Sequence, residues 1–323
     1  MTALAVALGA QAVQPDGGGV RGGELPRSWR TGGPNCIETP DWQIQEYNAD
    51  FFIIRESGCT NYEKPFVFLL FGAGKAMLLD TGAGKNDIAR TIQATVKKWL
   101  GRNGRTRVEL IVAHTHGHGD HIGGDAQLRA LNDPSMPVTM VPLERGGMEK
   151  FYGIAHWPET AGSVNLGGRV LDVVPIPGHD MLSVAFYDRQ TAVLLSGDTL
   201  YPGRLYVDEI NFDDYVKSIR RLVNFTEGKV VAHVIGNHIE QRRAPYFDYP
   251  IGTMYQPDEH DLALPRGDLL ELDAALTAMH GAPKRMAMRD YTIWPANPAV
   301  WKALDEQRKA TEERQLKEIP QQP

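Results

Sequence analysis

The chain has 323 residues, with 40 acidic against 34 basic side chains and a formal net charge of −6 at pH 7. That length is long for one domain and short for two, so a core with appendages is expected. The mildly acidic balance, with no Lys/Arg-rich block, argues against nucleic acid as the main partner; no apolar run approaches the ~20 residues of a bilayer span, so no stable membrane insertion is expected.

Residues 3–10 are a short apolar run, and Ala10-Gln11-Ala12 fits a small-x-small cleavage site. No Lys or Arg precedes Arg21, so the basic flank of a signal peptide is missing. The segment reads as a signal or as an Ala-rich tail, with periplasmic or secreted placement favoured over cytoplasmic, and residues 1–25 as signal plus flexible linker. Two cysteines follow, Cys36 and Cys59, neither in a ligand pattern. A disulfide suits an oxidising compartment, and two buried thiols fit equally well.

Stretches 41–55 and 65–79 carry apolar residues such as Phe51, Ile53, Phe66, Phe68 and Leu70, and read as opening antiparallel strands. Over 86–100, Ile88, Ile92, Val96 and Leu100 recur at four-residue steps, which predicts an amphipathic helix with Asn86 as its N-cap. A strand over 108–114 then leads into Thr115-His116-Gly117-His118-Gly119-Asp120-His121-Ile122-Gly123-Gly124. In an extended stretch residues i and i+2 point the same way, so His116 and His118 can share one cation. Asp120 and His121 turn into a helix start and are aimed at a second position close by. Nitrogen and oxygen donors with no Cys nearby suit zinc, with iron or manganese chemically compatible. The interleaved glycines leave no bulk between the ligands, unlike an ordinary surface histidine patch. A short helix from Asp125 and a strand over 138–141 follow.

Three more ligand-type residues each sit where an apolar run ends: His179 after 173–176, Asp198 after 192–195 and His238 after 230–235. Such runs read as buried strands, and side chains on the loops at their ends are held by a rigid sheet. Taken singly, each would be an ordinary loop histidine or capping acid. Joined to the first cluster they make seven ligands, enough for two metal ions sharing one carboxylate. Segments 183–187 and 191–196 read as a hairpin that delivers Asp198, and Phe212, Val216, Ile219 and Val223 mark a covering helix. Beyond His238 the rhythm is lost over 242–264. Leu269, Leu272, Leu276 and Met279 mark a helix ending at Gly281, and 300–319 a charged terminal helix. The chain thus divides into a core over 36–265 and a mainly helical extension over 266–323, which packs on the core or lines its entrance.

The pattern His116-x-His118-x-Asp120-His121, then His179, Asp198 and His238, together with Leu79-Asp80-Thr81-Gly82, resembles the metallo-β-lactamase-fold hydrolase superfamily over roughly 41–240. The resemblance implies an α/β fold, an αββα sandwich with the site at one edge of its two sheets. It implies that His116, His118 and His179 bind one divalent metal, that Asp120, His121 and His238 bind a second, and that Asp198 bridges them. Two cations sharing a bridging hydroxide can attack the carbonyl of a small-molecule ester, lactone or thioester, with Asp120 taking and passing the proton. Tyr201 resembles the tyrosine of the quorum-signal lactonases and is a candidate donor to the tetrahedral oxygen, packing in a loop being the equal alternative. Gly197-Asp198-Thr199-Leu200 also resembles the hydroxyacyl-glutathione thioesterases.

Arg204 and Tyr206 are weaker candidates for substrate contacts, as are His156 and Trp157 on a loop. His114 either bonds a ligand or is a structural strand histidine, and His233, His260 and His280 read as structural or surface residues. The alternative reaction is that of a β-lactamase, against which Asp198 counts because those enzymes usually carry Cys or Ser there. An iron-dependent persulfide dioxygenase and a non-catalytic binding protein are less favoured, the latter because none of the seven ligands is missing. Di-iron reductases of the fold usually carry Glu where this chain has His118.

Overall fold

The computed structural model describes residues 19–32 and 39–318. The candidate signal over 1–12 and Cys36 lie outside these residues; Cys59 is disulfide-bonded. Strands β1 (Trp42–Asn48), β2 (Phe51–Glu56), β3 (Phe66–Phe71) and β4 (Lys75–Leu79) form an antiparallel meander. Helix α1 (Ile88–Arg102) crosses over to β5 (Glu109–Ala113), parallel to β4. Short helices α2 (Gly119–Ile122) and α3 (Asp125–Arg129) lead to β6 (Val138–Met140), which completes a six-stranded sheet in sequence order.

After α4 (Arg145–Tyr152), strands β7 (Gly162–Asn165), β8 (Val170–Pro175), β9 (Val184–Asp188) and β10 (Val193–Gly197) form a second antiparallel run. Strand β11 (Arg204–Asp208) and helix α5 (Phe212–Thr226) precede β12 (His233–Gly236), which lies parallel to β10, with β13 (Ala263–Leu264) at the edge. The chain ends with α6 (Arg266–Ala278), β14 (Met286–Ala287), β15 (Thr292–Ala296) and α7 (Pro298–Glu318).

Period-two alternation builds the layers. On β3, Phe66, Phe68 and Leu70 face the second sheet's Val173, Phe186 and Leu195, while Val67, Leu69 and Phe71 face α1 through Ile92, Val96 and Trp99. The far side of the second sheet, with Val174, Ala185, Leu194 and Val234, is covered by Phe212, Tyr215 and Ile219 of α5 and by Leu269, Leu272 and Leu276 of α6. Strands covered on both faces are apolar at successive positions, which is why they appear in the sequence as continuous runs. The result is an αββα sandwich with a C-terminal helix. Among the described residues no helix is long and apolar enough to cross a membrane.

Three expectations change. The 41–55 stretch is two strands, broken by a turn at Ala49-Asp50. The N-cap of α1 is Asp87, whose carboxylate accepts the Arg90 amide at 2.9 Å; Asn86 instead donates to Thr60 Oγ1 at 2.7 Å and to the Asp41 carbonyl. Within 266–323 two strands accompany the helices: β15 pairs in parallel with β11 and antiparallel with β14, making a small third sheet.

Candidate metal centre

All seven ligand-type residues meet at one edge of the sandwich. Strand β5 delivers His116 to a loop, His118 is extended just before α2, and α2 presents Asp120 and His121 from its single turn. His179 comes from the β8–β9 loop, Asp198 follows β10, and His238 follows β12. Gly197 takes φ +58 immediately before Asp198, a turn a side chain would strain, and so aims the carboxylate back over the sheet edge. A Cβ at Gly124 would lie 2.4 Å from the Thr81 carbonyl oxygen, so only glycine lets the metal loop close on the turn after β4.

Two groups of nitrogens and oxygens form around a shared carboxylate. His118 Nδ1 lies 3.1 Å from His116 Nε2 and 3.0 Å from His179 Nε2. On the other side, Asp120 Oδ2 lies 3.2 Å from His121 Nε2 and 3.3 Å from His238 Nε2. Asp198 Oδ2 stands between them, 3.8 Å from His116, 3.6 Å from His179, 3.4 Å from His121 and 3.2 Å from His238. Within each of the sets His116-His118-His179, His116-His121-Asp198 and Asp120-His121-His238, the ligand atoms fall within 4.8 Å of one another.

The ring orientations are fixed from behind, as metal-binding histidines require. His179 Nδ1 bonds the Tyr206 carbonyl at 2.7 Å and His238 Nδ1 the Glu63 carbonyl at 3.0 Å. His121 Nδ1 lies 3.1 Å from Asp80 Oδ2. Asp80 is wholly buried and also accepts from the Thr115 amide and hydroxyl and from Asn237 Nδ2, at 2.7, 2.8 and 2.7 Å. It ties β4, the metal loop and the β12 end together. Its place at a strand end before Thr81-Gly82 was the visible signal; Asn237 gave none.

Electrostatics show that these donors suit a cation. Burial, reinforced for His116 by His121, pushes the His116 and His179 imidazoles below their ordinary pKa, toward the neutral form that binds metals. For His121 and His238 burial opposes charge, yet the Asp120 and Asp198 carboxylates outweigh it and raise both well above the ordinary value. Both carboxylates are in turn held far down by those imidazoles despite their burial. Two buried carboxylates thus demand positive charge in a cluster of imidazoles, and Asp198 Oδ1 is buried with no hydrogen-bond partner. Divalent cations fit that demand and that donor set.

A cavity of about 480 Å³ opens over the cluster, with Tyr62, Glu63, Tyr206, Asp208, Trp301 and Arg308 among its walls. Tyr201 also lines it, its ring 5.5 Å from that of His238. Its hydroxyl, for which donation to substrate and packing in a loop were equal alternatives, donates to the Arg204 carbonyl and lies 3.2 Å from Glu240, as a packing role would have it. Arg204 is buried and held by Glu240 at 2.6 Å and Asp248 at 2.9 Å, and it supports the wall from behind, its Nε donating to the Tyr206 hydroxyl at 2.6 Å. Tyr206 does face the cavity. His156 is exposed and Trp157 is in the core, and neither lines the cavity. His114 pairs with Asp125 at 2.8 Å, away from the ligands.

A family model described as the Metallo-beta-lactamase superfamily matches residues 63–273. The acyl-coenzyme A thioesterase MBLAC2 of Homo sapiens is 24% identical over 227 residues, covering 61% of this chain and 81% of that protein. A hydroxyacylglutathione hydrolase of Pseudomonas entomophila is 32% identical over 126 residues, covering 35% of this chain and 42% of that protein. Among solved structures, a metallo-beta-lactamase from Pontibacter korlensis overlays with a TM-score of 0.48 at 18% identity, covering 73% of this chain and 99% of that one.

Proposed function

The chain belongs to the metallo-beta-lactamase superfamily, and from that premise we propose that it is a dinuclear metal-dependent hydrolase of a small-molecule ester, lactone or thioester. The observation that carries this reading is the position of Asp198 Oδ2 within 3.8 Å of four imidazoles drawn from both halves of the cluster. His116, His118 and His179 would hold one divalent ion, Asp120, His121 and His238 the other, with Asp198 shared; zinc suits the donors best, and iron or manganese are compatible. When bound, the two ions would supply a strongly nucleophilic water at neutral pH and polarise the scissile carbonyl.

The chain's own groups do the rest. Asp120 Oδ2, held by His121 and His238, accepts the proton released in the attack and can return it to the leaving group. Asp80 keeps the His121 ring in register while that proton moves. The relatives named as hydrolases of thioesters support the carbonyl class. The disulfide at Cys59 supports an oxidising compartment, periplasmic or secreted; a chain that stays reduced in the cell would count against it.

Purified protein should carry close to two metal equivalents. It should hydrolyse at least one class in a panel of acyl-homoserine lactones, thioesters, aryl esters and cephalosporins. Exhaustive chelation should abolish that turnover and re-addition of metal restore it. Full activity in the chelated protein would sink the mechanism, and turnover of cephalosporins alone would make the enzyme a β-lactamase.

A further inference from the structure

The wall of the cavity opposite the metal ligands is built by β11 and α7, and its chemistry is one-sided. Tyr206 is joined directly to a ligand, since its carbonyl accepts His179 Nδ1 at 2.7 Å. Its ring meets that of Trp301 at 5.3 Å, inclined by 43°. Trp301 remains 38% exposed and is fixed by donating Nε1 to Asp208 Oδ1 at 2.5 Å. No Lys or Arg pairs with Asp208 among the described residues. With Asp120 and Asp198 assigned to metal, Glu63, Asp208, Glu240 and Asp305 still line the cavity with Arg308; Glu240 is paired with Arg204 at 2.6 Å, whose Nε also donates to the Tyr206 hydroxyl at 2.6 Å, so Asp208 is the carboxylate beside the rings without a cationic partner among the described residues. Arg308 is itself pinned by Asp305 at 2.6 Å and Glu312 at 2.9 Å.

Two aromatic rings beside a carboxylate that no Lys or Arg neutralises attract a cation through the ring quadrupoles and by direct charge. We propose that this wall selects a substrate bearing an alkylammonium group, seated on Tyr206 and Trp301 and paired with Asp208, so that the leaving group differs from the anionic coenzyme A or glutathione. The inference rests on the hydrolase reading of the same site.

The test uses the metal-loaded full-length enzyme and three thioesters: acetylthiocholine, its uncharged isostere S-(3,3-dimethylbutyl) thioacetate, and acetyl-coenzyme A. Acetylthiocholine should exceed the isostere about tenfold in kcat/KM, through KM, as expected for a desolvated cation on aromatic rings. Acetyl-coenzyme A should be the poorest. Asp208→Asn and Trp301→Ala should bring the cation preference to within about twofold of unity, and Trp301→Phe should keep most of it. Separately, tetramethylammonium titrated calorimetrically into the loaded protein should bind saturably, and more weakly to Asp208→Asn. Equal turnover of the charged and uncharged thioesters, a preference for acetyl-coenzyme A, or no tetramethylammonium binding overturns the proposal. Saturable binding that Asp208→Asn weakens, without hydrolysis of any thioester, lactone or ester, supports the cation site and sinks the hydrolase reading instead.

Discussion

Asp198 is the residue on which the centre turns. One of its oxygens faces imidazoles of both halves and the other is buried without a partner, so its removal should cost both ions together. Asp198→Ala is expected to leave fewer than one metal equivalent and to cut kcat/KM by more than the ~100-fold that losing a mere supporting group costs. Metal analysis beside kinetics checks this, and a variant that keeps two ions would refute the bridging role. Tyr201 behaves differently. Its hydroxyl is spent on the Arg204 carbonyl, so Tyr201→Phe should cost about 1 kcal/mol of stability and change kcat less than about threefold. A fall in kcat beyond a hundredfold with an unchanged melting temperature would restore it as an oxyanion donor. The ligands were legible because residue type alone carries their chemistry. The direction of a phenol depends on the local turn and on partners elsewhere in the fold, here the Arg204 carbonyl three residues on and Glu240 thirty-nine residues on.

At the scale of elements, the cap of α1 shows the limit of pattern reading. Asn86 and Asp87 are both good capping types, and sequence cannot rank adjacent candidates whose choice depends on where the preceding turn lies. Asp87→Ala is expected to cost about 1 kcal/mol through the lost bond to the Arg90 amide, which denaturant titration would measure; no change would show that the bond contributes nothing. The β11–β15 pair was invisible for another reason. Pro295 sits within β15, and a proline demotes a run unless, as here, it has a strand neighbour on one side alone: β14 pairs only with Thr292 and Ile293, so Pro295 faces β11 and no other strand. That pairing carries the chain back to the site, so that α7 supplies Trp301, Leu304, Asp305 and Arg308 to the cavity. The extension was expected to pack on the core or line its entrance, but not which of its residues would do so.

At the scale of the whole molecule, Lys64 is an electrostatic liability outside the seven candidate ligands. Lys64 is buried beside Arg55, and its ammonium donates to the carbonyls of Tyr62 and Thr253; burial, then Arg55, push its pKa down to about 7 against the opposing pull of Glu259, Glu240 and Glu63. The unfolded chain keeps that proton up to its ordinary 10.5, whereas the folded chain releases it from about 7. Between those values the unfolded state binds more protons, so stability should rise with pH across that window. Lys64→Met should flatten the rise between pH 7 and 10, read from urea midpoints; an unchanged slope would show that Lys64 stays charged in the fold.

The sequence by itself determined the layered fold and picked out seven candidate metal ligands, which the structure brings together. Buried strands write their coverage as apolar runs, and ligands must be His or Asp wherever they lie. Only the tertiary structure decided which atoms converge. Asp198 reaches both halves because β10 and β12 run in parallel to the same edge, Glu240 approaches the Tyr201 hydroxyl from thirty-nine residues away, and part of the wall facing the candidate ligands comes from a helix a hundred residues on in the chain. Such placements are set by long-range packing, which leaves no periodic trace in the local sequence.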